Sequence, residues 1–115
     1  MDAKFQRRIQ RYGWDKAAEA YEAGWRDSLA LVQSRLLEVA AAQPGEHVLD
    51  IACGTGLVTL PLARAVTAAG RVAATDISQP MTDIIRREAE TRRLTQIDAF
   101  RADAETLDAF PDNSF

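Results

Sequence analysis

The chain has 115 residues, 47% of them hydrophobic, and a formal net charge of -3 at pH 7. This length is enough for one domain but not for two. The acidic balance argues against a nucleic-acid partner, because nucleic-acid binders usually carry a clear basic excess. No apolar run approaches the roughly twenty residues that a membrane helix needs, so we expect no membrane insertion. The single cysteine excludes an intramolecular disulfide and indicates a reducing, cytoplasmic setting.

Two helices are predicted before the first strand, within the first 45 residues. Trp14, Tyr21 and Trp25 recur at i, i+7 and i+11 on one helical face, and core packing is the first interpretation of these rings. Farther along, an apolar face suits packing on a sheet, and it comprises Leu29, Val32, Leu36, Leu37, Val39 and Ala40.

Four cations cluster near the N-terminus: Lys4, Arg7, Arg8 and Arg11. We interpret them as an ordinary solvated helix face, since charge runs of this kind usually face water. The charge-dense residues 86–93 receive the same interpretation.

Residues 47–52 are predicted to form a short buried strand after a Pro-Gly turn. Val48, Leu49 and Ile51 supply its apolar side chains. His47, at the first position, is interpreted as structural, because ligands of parallel sheets bind at the carboxyl ends of the strands.

A glycine loop follows this strand. Gly54 and Gly56 lack a Cβ atom, so a ligand can approach the backbone closely and the turn can adopt unusual dihedral angles. Cys53, between strand and glycines, is interpreted as a structural small residue. A helix is predicted near residues 57–69, with Gly70 in a left-handed conformation at its C-terminal end.

A second strand, predicted over residues 71–75, runs into Asp76, twenty residues after Gly56. In a right-handed βαβ unit Asp76 lies beside the glycine loop, where a carboxylate can bind a ribose. A helix near residues 80–91 and a strand near 97–101 complete the pattern. Alternating strands and helices predict an α/β fold with a parallel sheet.

This pattern alone does not choose the cofactor, but two residues bear on the choice. Thr59 stands where a dinucleotide fingerprint would have its third glycine, and its branched side chain disfavours close approach to a pyrophosphate. Asp50 would repel a pyrophosphate but could face an ammonium or sulfonium group. A cationic cofactor is therefore favoured.

The segment Asp50-Ile51-Ala52-Cys53-Gly54-Thr55-Gly56 resembles motif I of the class I S-adenosylmethionine-dependent methyltransferases. Asp76-Ile77-Ser78 with Met81 resembles the acidic loop after the second strand of that family. Residues 101–105 and 110–115 resemble its next two motifs. In detail the chain is similar to the ubiquinone/menaquinone-biosynthesis type, over roughly residues 12–115.

The resemblance implies how the first two motifs would bind the cofactor. Asp50 and the backbone of Ala52, Gly54 and Gly56 would line the methionine end and the ribose. Asp76 would bind both ribose hydroxyls. The family often has glycine where this chain has Ala52, a small change that should leave the loop competent.

The resemblance also implies an adenine site and a cap. Ile77 and Met81 would pack on the adenine faces, Asp103 would accept a hydrogen bond from the exocyclic amine, and the Ala104 amide would meet a ring nitrogen. The family's N-terminal helices cap the cofactor, which gives Tyr21 first, and then Trp14, a second interpretation as rings that close over cofactor or substrate.

In this family the sulfonium already activates the methyl group, so catalysis is mostly alignment of the acceptor with the methyl–sulfur bond. No metal is implied, and the sequence identifies no catalytic residue.

The implied architecture is a Rossmann-like half-domain over residues 46–115, apparently truncated after the third strand, behind N-terminal helices in residues 1–45 that cap and pack. The first strand would be an open edge of the sheet, which invites pairing with another chain and hence a homo-oligomer.

Three functions remain open. The first is transfer of a methyl group to a small-molecule acceptor. The second is a nicotinamide-dependent oxidoreductase, and the third is a non-catalytic Rossmann-like remnant that binds a partner. The sequence does not determine the acceptor or the atom that is methylated.

Overall fold

The structure, a computed structural model, describes residues 2–115 except for the side chain of Glu22. After a long N-terminal helix, strands and helices alternate. The elements are α1 (Ala3–Ala40), β1 (His47–Ile51), α2 (Thr59–Val66), β2 (Arg71–Asp76), α3 (Gln79–Thr91) and β3 (Ile97–Arg101). The predicted α/β class and the order of its strands and connecting helices are confirmed.

The N-terminal segment is one continuous helix, so the prediction of two helices is wrong. The side chain of Asp2 caps it by accepting a backbone N–H of the first turn at 3.0 Å. No proline interrupts the segment, and Gly13 and Gly24 each cost only about 1 kcal/mol of helix propensity without breaking the hydrogen-bond ladder. The helix ends at Ala41, which adopts a left-handed conformation. None of the helices found in residues 2–115 has the length and apolar character needed to cross a membrane.

The sheet is parallel, in the order β1-β2-β3. Ile51 pairs with Thr75, and Asp76 pairs with Arg101, so the three strands end at the same edge of the sheet. Within residues 2–115, β1 has no strand on its outer side. The open edge that the sequence predicts is therefore present.

Alternate residues of the strands pack under α2 and α3. Val72 is fully buried with Val66 of α2, and Ala74 is fully buried with Ile85 of α3. α1 packs on α3 through Ala18, which contacts Met81 and Ile84. The core thus lies between the sheet and the helices that connect its strands.

The predicted apolar face of α1 contributes little to this core. Leu37 packs on the cluster around Val66, whereas Val32, Leu36 and Val39 are exposed. The prediction is wrong for these three residues and for Ala40, which is also exposed, because α1 rests on α3 and only its last part reaches the cluster under the sheet.

Gly70 also differs from its predicted role. Thr67, not Gly70, has a positive φ of 62° at the end of α2. A Cβ at Gly70 would lie 2.6 Å from the carbonyl oxygen of Glu46 and 2.6 Å from Cβ of Val66. Glycine is needed there for close packing of the backbone before β2.

Candidate functional site

A cavity of about 380 Å³ lies at the carboxyl ends of the strands, between the glycine loop and α1. This is the position where parallel sheets bind ligands. Its walls come from α1, the glycine loop, the end of β2, the start of α3 and the loop after β3. The lining residues are Arg7, Gln10, Trp14, Tyr21, Ala52, Gly54, Thr75, Asp76, Ile77, Met81, Ala102, Asp103, Ala104 and Glu105.

The glycine loop depends on left-handed backbone conformations. The φ angles of Ala52, Gly54 and Gly56 are 56°, 57° and 94°. Gly56 is buried, and a Cβ there would lie 2.9 Å from Cγ1 of Ile85. Gly56 therefore holds the loop against α3 and does not line the cavity, whereas Ala52 and Gly54 do.

Asp76, at the end of β2, fastens the glycine loop to the next turn. Its Oδ2 accepts the backbone N–H of Gly54 at 2.9 Å, and its Oδ1 accepts that of Ser78 at 3.0 Å. Each carboxylate oxygen can accept a further hydrogen bond. The side chain is half-buried and faces the cavity, so it can still receive hydroxyl donors from a ligand.

Asp50 lies beneath the loop, outside the cavity lining. Thr59 donates a hydrogen bond to Oδ2 of Asp50 at 2.6 Å, which explains why a hydroxyl stands at this buried position. Burial raises the pKa of Asp50, the bond from Thr59 opposes the rise, and the charge of Asp76 adds to it. The structure thus places a poorly solvated carboxylate at the end of β1, close to the loop.

The loop after β3 closes the other end of the cavity. The Ala102 N–H donates to the carbonyl of Asp76 at 2.9 Å, which continues the pairing of β2 with β3. Oδ1 of Asp103 accepts the N–H of Glu105 at 2.9 Å. Ile77 and buried Met81 also line the cavity. A flat ring bound in this part of the cavity would have apolar side chains and polar groups within reach.

α1 covers the cavity with aromatic rings. Tyr21 and Trp14 meet edge to face, with centroids 5.7 Å apart, and both line the cavity. Cε1 of Tyr21 lies 3.9 Å from where a Cβ of Gly54 would be. Trp14 is 42% exposed and Trp25 is 55% exposed, so core packing is the wrong interpretation for these two rings. Of these two exposed rings, Trp14 lines the cavity and Trp25 does not.

Arg7 joins α1 to the loop after β3. Its Nε lies 3.7 Å from Oδ2 of Asp103, and its guanidinium also pairs with Glu105. The interpretation of the N-terminal cations as a solvated face is therefore wrong for Arg7.

Sequence reasoning missed five of the lining residues. A signal was available for Arg7, because it precedes Trp14 and Tyr21 by 7 and 14 positions, which is one helical face. Gln10 lies on the same face, four positions before Trp14, whereas no such signal pointed to Thr75, Ala102 or Glu105.

Two further residues keep their structural interpretation. Cys53 is buried, and its pKa is raised by burial and then by the charges of Asp50 and Asp76, which makes a thiolate unfavourable. His47 lies at the start of β1, at the opposite end from the cavity. It borders a larger cavity of about 600 Å³ formed by the sheet and the C-terminal segment, which holds none of the predicted site residues.

Comparison with known proteins identifies the family. Residues 48–115 match the model of a methyltransferase domain. The chain is 32% identical over 114 residues to aklanonic acid methyltransferase DauC of Streptomyces sp. (strain C5), covering 99% of this chain and 51% of that protein. It is 34% identical over 106 residues to a demethylmenaquinone methyltransferase of Symbiobacterium thermophilum, covering 89% and 42%. The crystal structure of coclaurine N-methyltransferase bound to N-methylheliamine and SAH is 31% identical, with a TM-score of 0.58, over 64% of this chain and 22% of that one.

These matches favour a methyltransferase over the nicotinamide-dependent oxidoreductase and the partner-binding remnant. The chain spans about half the length, or less, of the curated relatives named here. The matched domain covers more than half of the chain and contains the glycine loop, Asp76 and the loop after β3. The chain belongs to the class I S-adenosylmethionine-dependent methyltransferase family, in the group that includes the demethylmenaquinone methyltransferases.

Proposed function

We propose that this chain forms the cofactor-binding part of an enzyme that transfers a methyl group from S-adenosylmethionine to a small-molecule acceptor. The observation that carries this proposal is the position of Asp76. Its carboxylate is oriented by two backbone N–H groups, lies between the glycine loop and the loop after β3, and faces the cavity.

Asp76 is suited to two neighbouring hydroxyls. Because each of its oxygens is already fixed by one N–H donor, the carboxylate cannot rotate freely and presents its remaining acceptor sites to the cavity. The resemblance assigns the ribose hydroxyls of the cofactor to this residue. Hydrogen bonds to a charged acceptor contribute about 1.5–3 kcal/mol each, so Asp76 would dominate polar recognition.

The adenine is assigned to the opposite end of the cavity. Ile77 and Met81 offer apolar surface for the ring faces, with Asp103 and the Ala104 backbone at the ring edge. Asp103 is held by the Glu105 N–H and by Arg7, which keeps its carboxylate in place as an acceptor.

The methionine end is assigned to the glycine loop. Ala52 and Gly54 give the backbone access to the cavity, and Gly56 fixes the loop from behind. Asp50 contributes negative charge from below, which favours a ligand with an ammonium and a sulfonium group. Tyr21 and Trp14 would cover the ligand and exclude water.

When bound, the cofactor supplies an activated methyl group, so the work of the protein is orientation and exclusion of water. The acceptor would approach past the α1 cap. The relatives' names refer to small organic acceptors, and we propose the same class here. The single cysteine supports a cytoplasmic setting for the reaction.

The outer edge of β1 is proposed to pair with a further strand. Parallel strands are normally buried on both sides, and an unpaired edge is a template for association. The strand could come from the rest of a longer protein or from a second copy of this chain, which would give a homo-oligomer.

The proposal is tested by calorimetric titration with S-adenosylhomocysteine and, separately, with NAD. Asp76→Asn keeps the size of the side chain but removes its charge and replaces one of its two acceptor oxygens by an NH2 donor, and we expect at least about tenfold weaker binding of S-adenosylhomocysteine. Asp98→Asn is the matched control, because Asp98 is an exposed aspartate of β3 that pairs with Arg71 outside the cavity. Tighter binding of NAD than of S-adenosylhomocysteine, or equal loss in both variants, would refute the assignment.

A further inference from the structure

The first three turns of α1 expose an apolar stripe that the cofactor site does not use. Phe5, Ile9 and Tyr12 follow each other at i, i+4 and i+7, so they share one face of the helix. Their exposed fractions are 50%, 51% and 62%. None of them lines the 380 Å³ cavity. The exposed apolar residues in the second half of α1 have the same spacing, so the apolar stripe alone does not single out this surface, and the cations beside it do.

A basic stripe runs directly beside the apolar one. Lys4, Arg8 and Arg11 each precede one member of the apolar stripe by a single residue, so the two stripes are parallel. With Arg7 and Arg101 they line a groove of about 370 Å³ between α1 and the end of β3.

The cations of this groove are poorly neutralised. Arg7 pairs with Asp103 and Glu105. Among the side chains that the structure describes, no ion pair is formed by Lys4, Arg8, Arg11 or Arg101. Like charges at i,i+4, such as those of Lys4 and Arg8, repel each other, so this arrangement lowers the stability of the helix.

The charge is concentrated in this part of the chain. Residues 2–16 contain five Lys or Arg and two Asp, a net of +3, whereas the whole chain carries -3. The remaining residues therefore carry -6. A local excess of this size against an acidic background indicates a partner surface of negative charge.

We propose that residues 3–12 of α1 are a docking surface for an anionic lipid bilayer. Phe5, Ile9 and Tyr12 enter the boundary between headgroups and acyl chains, while Lys4 and Arg8 contact the headgroups. A helix with adjacent apolar and basic faces lies in the plane of such an interface. The cytoplasmic leaflet carries the required negative charge. The helix rests on the membrane and does not span it.

The other two partners fit the surface less well. A nucleic acid would use the cations but would leave the aliphatic side chain of Ile9 in water, and the acidic remainder of the chain would repel it. A second copy related by a two-fold axis would bring the same basic stripe against itself. A bilayer offers apolar contacts to the apolar stripe and negative charge to the basic stripe.

The test is co-sedimentation of the chain with vesicles that contain phosphatidylglycerol and with vesicles of phosphatidylcholine alone. One variant, Phe5→Ser/Ile9→Ser, removes the apolar stripe, and a second, Lys4→Gln/Arg8→Gln, removes charge. Leu31→Ser/Val32→Ser is the matched control, since both side chains are exposed farther along the same helix. Far-UV circular dichroism and titration with S-adenosylhomocysteine show that each variant keeps its helix and its cavity.

We expect binding to the anionic vesicles only, weakened about tenfold or more by the apolar variant and roughly thirtyfold by the charge variant, with no change in the control. Three results would overturn the proposal: no binding to anionic vesicles, binding that the apolar variant leaves unchanged, or equal loss in the control. Tighter binding of a single-stranded RNA, or a stable dimer that the apolar variant dissociates, would assign the surface to one of the other partners.

Discussion

At the scale of single residues, the site contains groups that lower the stability of the fold beside groups that a ligand would need. Asp50 is a carboxylate held under the glycine loop, where burial and then the charge of Asp76 raise its pKa against the hydrogen bond from Thr59. A group whose native pKa is above its unfolded value stabilises the fold only at low pH, and this contribution is lost as the pH rises through the native value. Asp50 therefore costs stability at neutral pH.

Asp50→Asn should increase the free energy of unfolding at pH 7 and leave it nearly unchanged below about pH 4, because the amide never ionises and can still accept from Thr59. The same change should weaken S-adenosylhomocysteine binding only several-fold, since it removes a negative charge that lies beneath the loop and outside the cavity lining. Urea titrations at several pH values, with Asp98→Asn beside them, measure the first effect. A loss of stability at pH 7 would show that the ionised form is favoured in the native state.

Two glycines should respond to alanine with opposite signs. Gly56→Ala should destabilise the fold by about 1–3 kcal/mol, because its Cβ would meet Ile85 and its φ of 94° disfavours an L side chain. Gly13→Ala should stabilise it by up to about 1 kcal/mol, because Gly13 lies within α1 and an added Cβ would have no atom within 4 Å. Thermal unfolding of both variants checks the pair, and a harmless Gly56→Ala would contradict the packing described for the loop.

At the scale of elements, α1 is where structure and sequence diverge most. Helical periodicity predicts a helix but does not say where it stops, and no proline or cap marks a break between residues 3 and 40. The apolar residues of its second half predict burial, yet burial depends on which element lies opposite, and periodicity contains no such information. The strands and their glycine loop were predictable because their sequence signals are local. These signals are a short apolar run, glycines in the turn and an acid at each strand end.

Arg7→Ala tests the contact between α1 and the loop after β3. Arg7 is partly exposed, so the loss of its ion pairs should change unfolding by under about 1 kcal/mol. Dissociation of S-adenosylhomocysteine should nevertheless become several-fold faster, because the cap is no longer held to Asp103. Stopped-flow fluorescence of Trp14 reports this rate. Arg8→Ala, one position away and outside the cavity lining, should leave the rate unchanged, and an equal effect of both variants would argue against a specific contact.

At the scale of the whole molecule, the cavity exists because three strand ends and α1 meet. The three acidic strand ends were visible in the sequence, and their order in a parallel sheet follows from right-handed crossovers. Arg7 and Gln10 share a helical face with Trp14 in the sequence, but their contact with the strand ends depends on the path of α1, which is a long-range packing outcome.

The unpaired edge of β1 predicts self-association. Sedimentation velocity should show a weight-average mass that rises with concentration, because the outer backbone groups of β1 can pair with a second chain. Ile51→Lys places a charge at an exposed position on this edge and should reduce the association. Thr95→Lys, in the loop before β3, is the control. If the chain is monomeric at all concentrations, the outer edge of β1 has no role in self-association.

A crystal structure of the chain with S-adenosylhomocysteine would show whether the 380 Å³ cavity holds the adenosyl cofactor. We predict both ribose hydroxyls within hydrogen-bond distance of the Asp76 carboxylate and the adenine between Ile77 and Met81. A ligand bound elsewhere, for example in the larger cavity beside His47, would contradict the account.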